Sequence, residues 1–109
     1  REGHIAVVEL LLNDSRINPA ANNNWAIRWA SERGHLGIVQ FLLSRSQIDP
    51  TADNNYAIRM ASRQGHLDVV KLLLKHPKVD PSAKGNEAIC WASGNGYLDV
   101  VRLLLNNSR

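Results

Sequence analysis

The chain repeats itself every 31 residues. Gly3-His4, Gly34-His35, Gly65-His66 and Gly96-Tyr97 keep that step, as do Asn18-Pro19, Asp49-Pro50 and Asp80-Pro81. Ala26-Ile27, Ala57-Ile58 and Ala88-Ile89 keep it too. A period of this length marks a stacked array, in which each unit touches only its neighbours and the core is shared between them. The 109 residues are 44% hydrophobic but hold only one Phe. That suits one elongated unit packed by small aliphatic side chains rather than several globular domains.

Residues 56–86 show how one unit is built. Ala57, Ile58 and Ala61 form an apolar stripe on a short helix, and the small alanines let helices approach closely. Gly65 can adopt the left-handed conformation that ends a helix. A second helix is predicted from Leu67, with Leu67, Val70, Leu73 and Leu74 at helical spacing. Pro77 lacks an amide hydrogen and restricts the residue before it, so this helix stops near Lys75 or His76. Val79-Asp80-Pro81-Ser82-Ala83 then runs extended into a polar turn at Lys84-Gly85-Asn86. Asn24, Asn55 and Asn86 each precede an inner helix, and we expect them to act as N-caps. The unit is helix, tight turn, helix, long loop. The fold class expected is all-α, a solenoid of stacked helix-turn-helix units.

Gly65-His66-Leu67-Asp68-Val69-Val70-Lys71-Leu72-Leu73-Leu74, with copies at 34–43 and 96–105, resembles the second-helix pattern of ankyrin repeats. The resemblance covers the whole chain. It implies a single ankyrin-repeat domain over 1–109, with a partial repeat at 1–24 and repeats at 25–55, 56–86 and 87–109. The first helix departs from the family wording. Trp25-Ala26-Ile27-Arg28-Trp29-Ala30-Ser31 stands where the family has T-P-L-H-x-A-A, and the family His has become Arg28, Arg59 and Cys90. Arg carries only donors, so the family's bonding at that position cannot be copied. The repeat is also shorter than the usual ~33 residues, which marks a divergent subgroup. Both ends read as cut from a longer array, and weak head-to-tail self-association is the expectation for such ends.

Candidates for chemistry are few. His4, His35 and His66 recur, but neighbouring repeats stand about 10 Å apart, too far for one ion to gather its ligands. Tyr97 replaces the fourth copy. Cys90 lies between Ile89 and Trp91, which offer neither a base nor positive charge to activate a thiol. Asp49 and Asp80 precede prolines, while Asp68 and Asp99 sit where an anion favours the dipole of a second helix. No Gly-rich phosphate loop is present. The expectations are therefore no catalytic, metal or cofactor-binding residue, no cofactor, and no enzymatic activity.

The net charge of +3 is spread through every repeat rather than gathered in a basic tract, so nucleic acid is not the expected partner. No apolar run approaches the ~18 residues of a membrane span. The lone cysteine fits a reducing compartment, and an intracellular location, cytoplasmic or nuclear, is expected. What remains is surface. Trp25, Arg28, Trp29, Tyr56, Arg59, Met60 and Trp91 fall outside the inward stripe of the first helices. Aromatics, Met and Arg together have the composition of a binding hot spot. The alternative is local packing: Arg28 stacked on Trp25, Arg59 on Tyr56, and Trp29, Met60 and Trp91 sealing the seams. The resemblance implies a protein–protein interaction scaffold that presents a concave face of inner helices and turn tips. The other reading is a substrate-recruiting segment of a larger enzyme or of a ubiquitin-ligase receptor.

Overall fold

In the computed structural model, seven helices follow one another without a strand among the described residues: α1 (Glu2–Asn13), α2 (Ala21–Arg33), α3 (Leu36–Leu43), α4 (Ala52–Arg63), α5 (Leu67–Leu74), α6 (Ala83–Gly94) and α7 (Leu98–Asn106). The structure describes residues 2–14, 16 and 18–107, the first four of these by backbone alone. α2, α4 and α6 stack side by side as an inner row. α3, α5 and α7 form an outer row, each also packed on its own inner helix. α1 flanks α3 across a cleft lined by Glu9, Leu12, Ile38 and Phe41. The array is elongated, 39 × 27 × 19 Å.

The sequence stripes explain this layering. Ala26, Ile27 and Ala30 are fully buried, as are Ala57 and Ala61, and Ala88 and Ala92. Ile58 joins them at 1% exposure. The outer helices contribute Val39 and Leu42, Val70 and Leu73, and Leu104. All belong to one continuous core. Each buried Leu, Ile or Val adds roughly 1.5–3 kcal/mol, and no helix could gain that alone. Val7 on α1 is exposed, although its equivalents one and two periods on, Ile38 and Val69, are buried. Leu10 on α1 and Leu98 and Leu105 on α7 are exposed as well.

Helix ends follow the expected signals. Gly34 (φ 74) closes α2, its amide donating to the carbonyls of Ala30 and Ser31. Gly65 and Gly96 have φ of 76 and 78. α5 runs Leu67–Leu74 with Lys75 at its C-cap, two residues short of Pro77. In the loops, Asn18, Asp49 and Asp80 each accept the amide of the residue two positions on, Ala20, Thr51 and Ser82, at 2.9 Å. These Asx turns carry the chain around the buried Pro19, Pro50 and Pro81. The Thr51 hydroxyl also donates to Asp49 and holds that carboxyl below its usual range.

The capping expectation for the asparagines is corrected. Before each right-handed inner helix the chain makes a left-handed turn of three residues: Asn22-Asn23-Asn24 (φ 56, 56, 60), Asp53-Asn54-Asn55 (φ 57, 54, 61) and Lys84-Gly85-Asn86 (φ 56, 66, 66). Asn, Asp and Gly tolerate this region best. An N-cap needs an extended backbone, so Asn24 and Asn55 face elsewhere. Asn24 Oδ1 accepts the Asp49 amide at 2.8 Å, and Asn55 Oδ1 accepts the Asp80 amide at 2.9 Å. They tie each turn to the next loop instead of capping a helix. Asn55→Ala then loses that bond and places Ala in a left-handed position, about 2 kcal/mol together. Asn54→Ala pays only the backbone part, about 1 kcal/mol. Asn55→Asp keeps the acceptor and should stay close to wild type. Urea unfolding of the three variants checks the order, and equal losses at 54 and 55 would refute the bridging role.

Ser31 and Ser62 are fully buried, and neither hydroxyl finds a hydrogen-bond partner among the described residues. A desolvated, unpaired hydroxyl costs about 1–3 kcal/mol. Ser31→Ala and Ser62→Ala should therefore each raise the urea midpoint. A lowered midpoint would mean that the hydroxyls are satisfied in solution.

Candidate interaction face

The left-handed turns explain what stands on the inner row. Arg28 donates from Nε to the Asn23 carbonyl at 3.0 Å and from Nη2 to the Asn22 carbonyl at 3.1 Å. One period on, Arg59 does the same with Asn54 at 2.9 Å and Asp53 at 3.0 Å. A donor-only side chain suits two successive carbonyls that the turn presents to it. Arg59 also donates from Nη1 to Glu87 on α6 at 2.6 Å. It is buried, at 6% exposure, so this is an ion pair inside the seam between α4 and α6.

Tyr56 is the hub of the row. The guanidinium carbons of Arg28 and Arg59 lie 5.5 and 5.7 Å from its ring centre. Its hydroxyl donates to Glu32 at 2.6 Å, and Glu32 together with burial holds the phenol above its usual pKa. Arg59 thus stacks on Tyr56 as expected. Arg28 reaches across to Tyr56 in the next unit, and no stack on Trp25 is seen among the described contacts. Trp25 and Trp29 meet at 6.4 Å with ring planes tilted by 50°. Trp29 also touches the His35 ring at 4.9 Å. Trp91 carries the Arg63 guanidinium 4.7 Å over its ring.

Of the seven residues singled out in the sequence, the structure joins Arg28, Tyr56 and Arg59 in one cluster and pairs Trp25 with Trp29. Trp25, Arg28, Trp29, Tyr56 and Trp91 are half-buried, while Met60 and Arg59 lie beneath the surface. Glu32, Glu87 and Arg63 complete the row, and inspection of single repeats misses their parts. Glu32 and Arg63 occupy one column of the period and Tyr56 and Glu87 another, but a shared column does not show which side chains they pair with.

Behind the row, His66 braces the stack. Its Nε2 lies 3.0 Å from the Glu32 carbonyl in the preceding unit, and its ring covers Gly34. Tyr97 lies over Gly65 in the same way. A tyrosine there does not make the His66 bond. Asn95 supplies it instead, donating Nδ2 to the Arg63 carbonyl, the counterpart of Glu32, at 2.9 Å. The side chain of His4 lies outside the described residues. Among the described residues no three His, Cys, Asp or Glu side chains converge as metal ligands.

A row of short inner helices backed by a row of outer helices, joined by glycine-closed turns, defines a helical repeat scaffold. The family model for ankyrin repeats, in three copies, matches residues 27–109. The chain belongs to the ankyrin repeat family. Members of this family are typically non-catalytic and generally serve as scaffolds for protein–protein interaction. No curated protein matches the chain. Among the described residues no helix is long and apolar enough to cross a membrane.

Proposed function

We propose that this array binds a protein partner along its inner row, through Trp25, Arg28, Trp29, Tyr56 and Trp91, with Arg59 and Met60 as the support beneath them. One observation carries the reading: half-exposed aromatic rings and guanidinium groups continue across α2, α4 and α6, braced by bonds between units. Large rings and Arg held in place give up little entropy on binding, which is the character of a hot spot. The charges on the row are mixed, which favours a protein segment over a polyanion. The single cysteine suits work in a reducing, intracellular setting.

The test compares Trp29→Ala and Trp91→Ala with Lys71→Ala on the outer helix α5, against a partner recovered by affinity capture. At least one tryptophan variant should lose about 1–2 kcal/mol of binding by calorimetry, and Lys71→Ala almost none. Thermal melts accompany each titration. If both tryptophan variants melt early yet bind normally while folded, the row only packs and the proposal fails.

A further inference from the structure

The three left-handed turns are near-copies, and two of them already hold the same chemical group. ψ follows φ in matching: 49, 46 and 44 at Asn22–Asn24, 53, 48 and 39 at Asp53–Asn55, and 47, 39 and 34 at Lys84–Asn86. At the first two, a guanidinium spans the first and second carbonyls of the turn, with Nη2 on the first and Nε on the second. At the third, position 90 is cysteine and exposed. Among the described residues no side chain donates to the carbonyl of Lys84 or Gly85. We infer that this third turn is a binding site for a guanidinium group, supplied by an arginine of another protein.

The chemistry is that of the other two turns with the donor coming from outside. Two carbonyl oxygens, set by three successive left-handed residues, accept two parallel N–H groups from one edge of a planar guanidinium. An ammonium is a point donor and cannot span both oxygens in that way. Cys90 is short enough to leave the approach open, and Gly85 would meet nothing within 4 Å even with a Cβ added. Where Arg59 has the ring of Tyr56 beside it, the equivalent position here is Glu87, whose carboxylate is already paired with Arg59, so the two turn carbonyls are the acceptors left to an incoming guanidinium. Trp91 follows Cys90 in the chain, but the site does not depend on the aromatic row. It can therefore stand or fall separately.

Triple-resonance spectra of the whole chain, which report backbone carbonyl shifts residue by residue, provide the test. The probes are N-acetyl-arginine amide and, at equal ionic strength, N-acetyl-lysine amide. The arginine probe should move the Lys84 and Gly85 carbonyl resonances along a saturable curve, and the lysine probe should not. Cys90→Arg should abolish the response by closing the turn from within, and should raise the melting temperature. Arg28→Ala serves as the positive control, because it opens the first turn and should make the Asn22 and Asn23 carbonyls respond to the same probe. Equal shifts with both probes, or none at 84 and 85 while the control responds, overturn the inference in favour of a merely hydrated turn. A silent control overturns it too, since the turns would then not recognise a free guanidinium. None of these outcomes bears on the tryptophan titrations.

Discussion

Gly34→Ala and Gly65→Ala will lose far more stability than Gly96→Ala, although all three glycines end equivalent inner helices. All three have φ between 74 and 78. An alanine there costs about 1–2 kcal/mol from backbone strain alone. The surroundings differ. A Cβ on Gly34 would stand 2.6 Å from Nδ1 of His66, and one on Gly65 would stand 2.7 Å from Cε1 of Tyr97. One on Gly96 meets nothing within 4 Å. Overpacking adds about 1–3 kcal/mol, so the first two should lose about 2–5 kcal/mol and the third only the strain. Gly34→Ala should be the worse of the pair. His66 is tied to the Glu32 carbonyl, whereas Tyr97 is exposed and can swing aside. Urea unfolding ranks them, and three equal losses would show that ring-on-glycine contacts do not hold the units together.

These glycines illustrate what the sequence makes legible. The period, the helix stops at Gly65 and Pro77, and the Ala-Ile stripes are local or periodic signals, and the helices begin and end where those signals say. The asparagines are different. The same side-chain oxygen can cap a helix or accept a loop amide 25 residues away. Only the sign of φ separates the two roles, and the sequence does not display it. Three polar residues rich in Asn, Asp and Gly before each inner helix were the available hint, since such residues carry left-handed backbone at least cost. Arg28 and Arg59 read as surface for a related reason. Their acceptors are backbone carbonyls, which every residue has. Nothing in composition marks the carbonyls of Asp53 and Asn54 as turned toward Arg59, or places Glu87 in its reach. The accessible part of the face was legible as composition, but its bracing became visible only with the turns in place.

Arg59 is the second residue whose loss should be large. Arg59→Met removes two bonds to the turn carbonyls and the ion pair with Glu87, while keeping most of the apolar stem. Breaking one side of a buried pair costs about 3–5 kcal/mol, and Glu87 is partly exposed, so the lower end of that range is expected. Arg28→Met loses the same two carbonyl bonds but no carboxylate partner, and should cost about 1–2 kcal/mol. Arg59→Lys can keep an attraction to Glu87 yet cannot span both carbonyls. It should recover only part of the loss. The cycle Arg59→Met, Glu87→Gln and the double variant isolates the pair. If the ion pair matters beyond the clamp, the double variant will lose less than the two single losses added together. Amide exchange separates the clamp from the pair. Arg59→Met should speed exchange in the turn at 53–55, and Glu87→Gln should leave it near wild type. If both variants loosen the turn equally, Glu87 is what positions the guanidinium. If neither does, the left-handed turn stands without its clamp, and the matching turn at 84–86 needs none either.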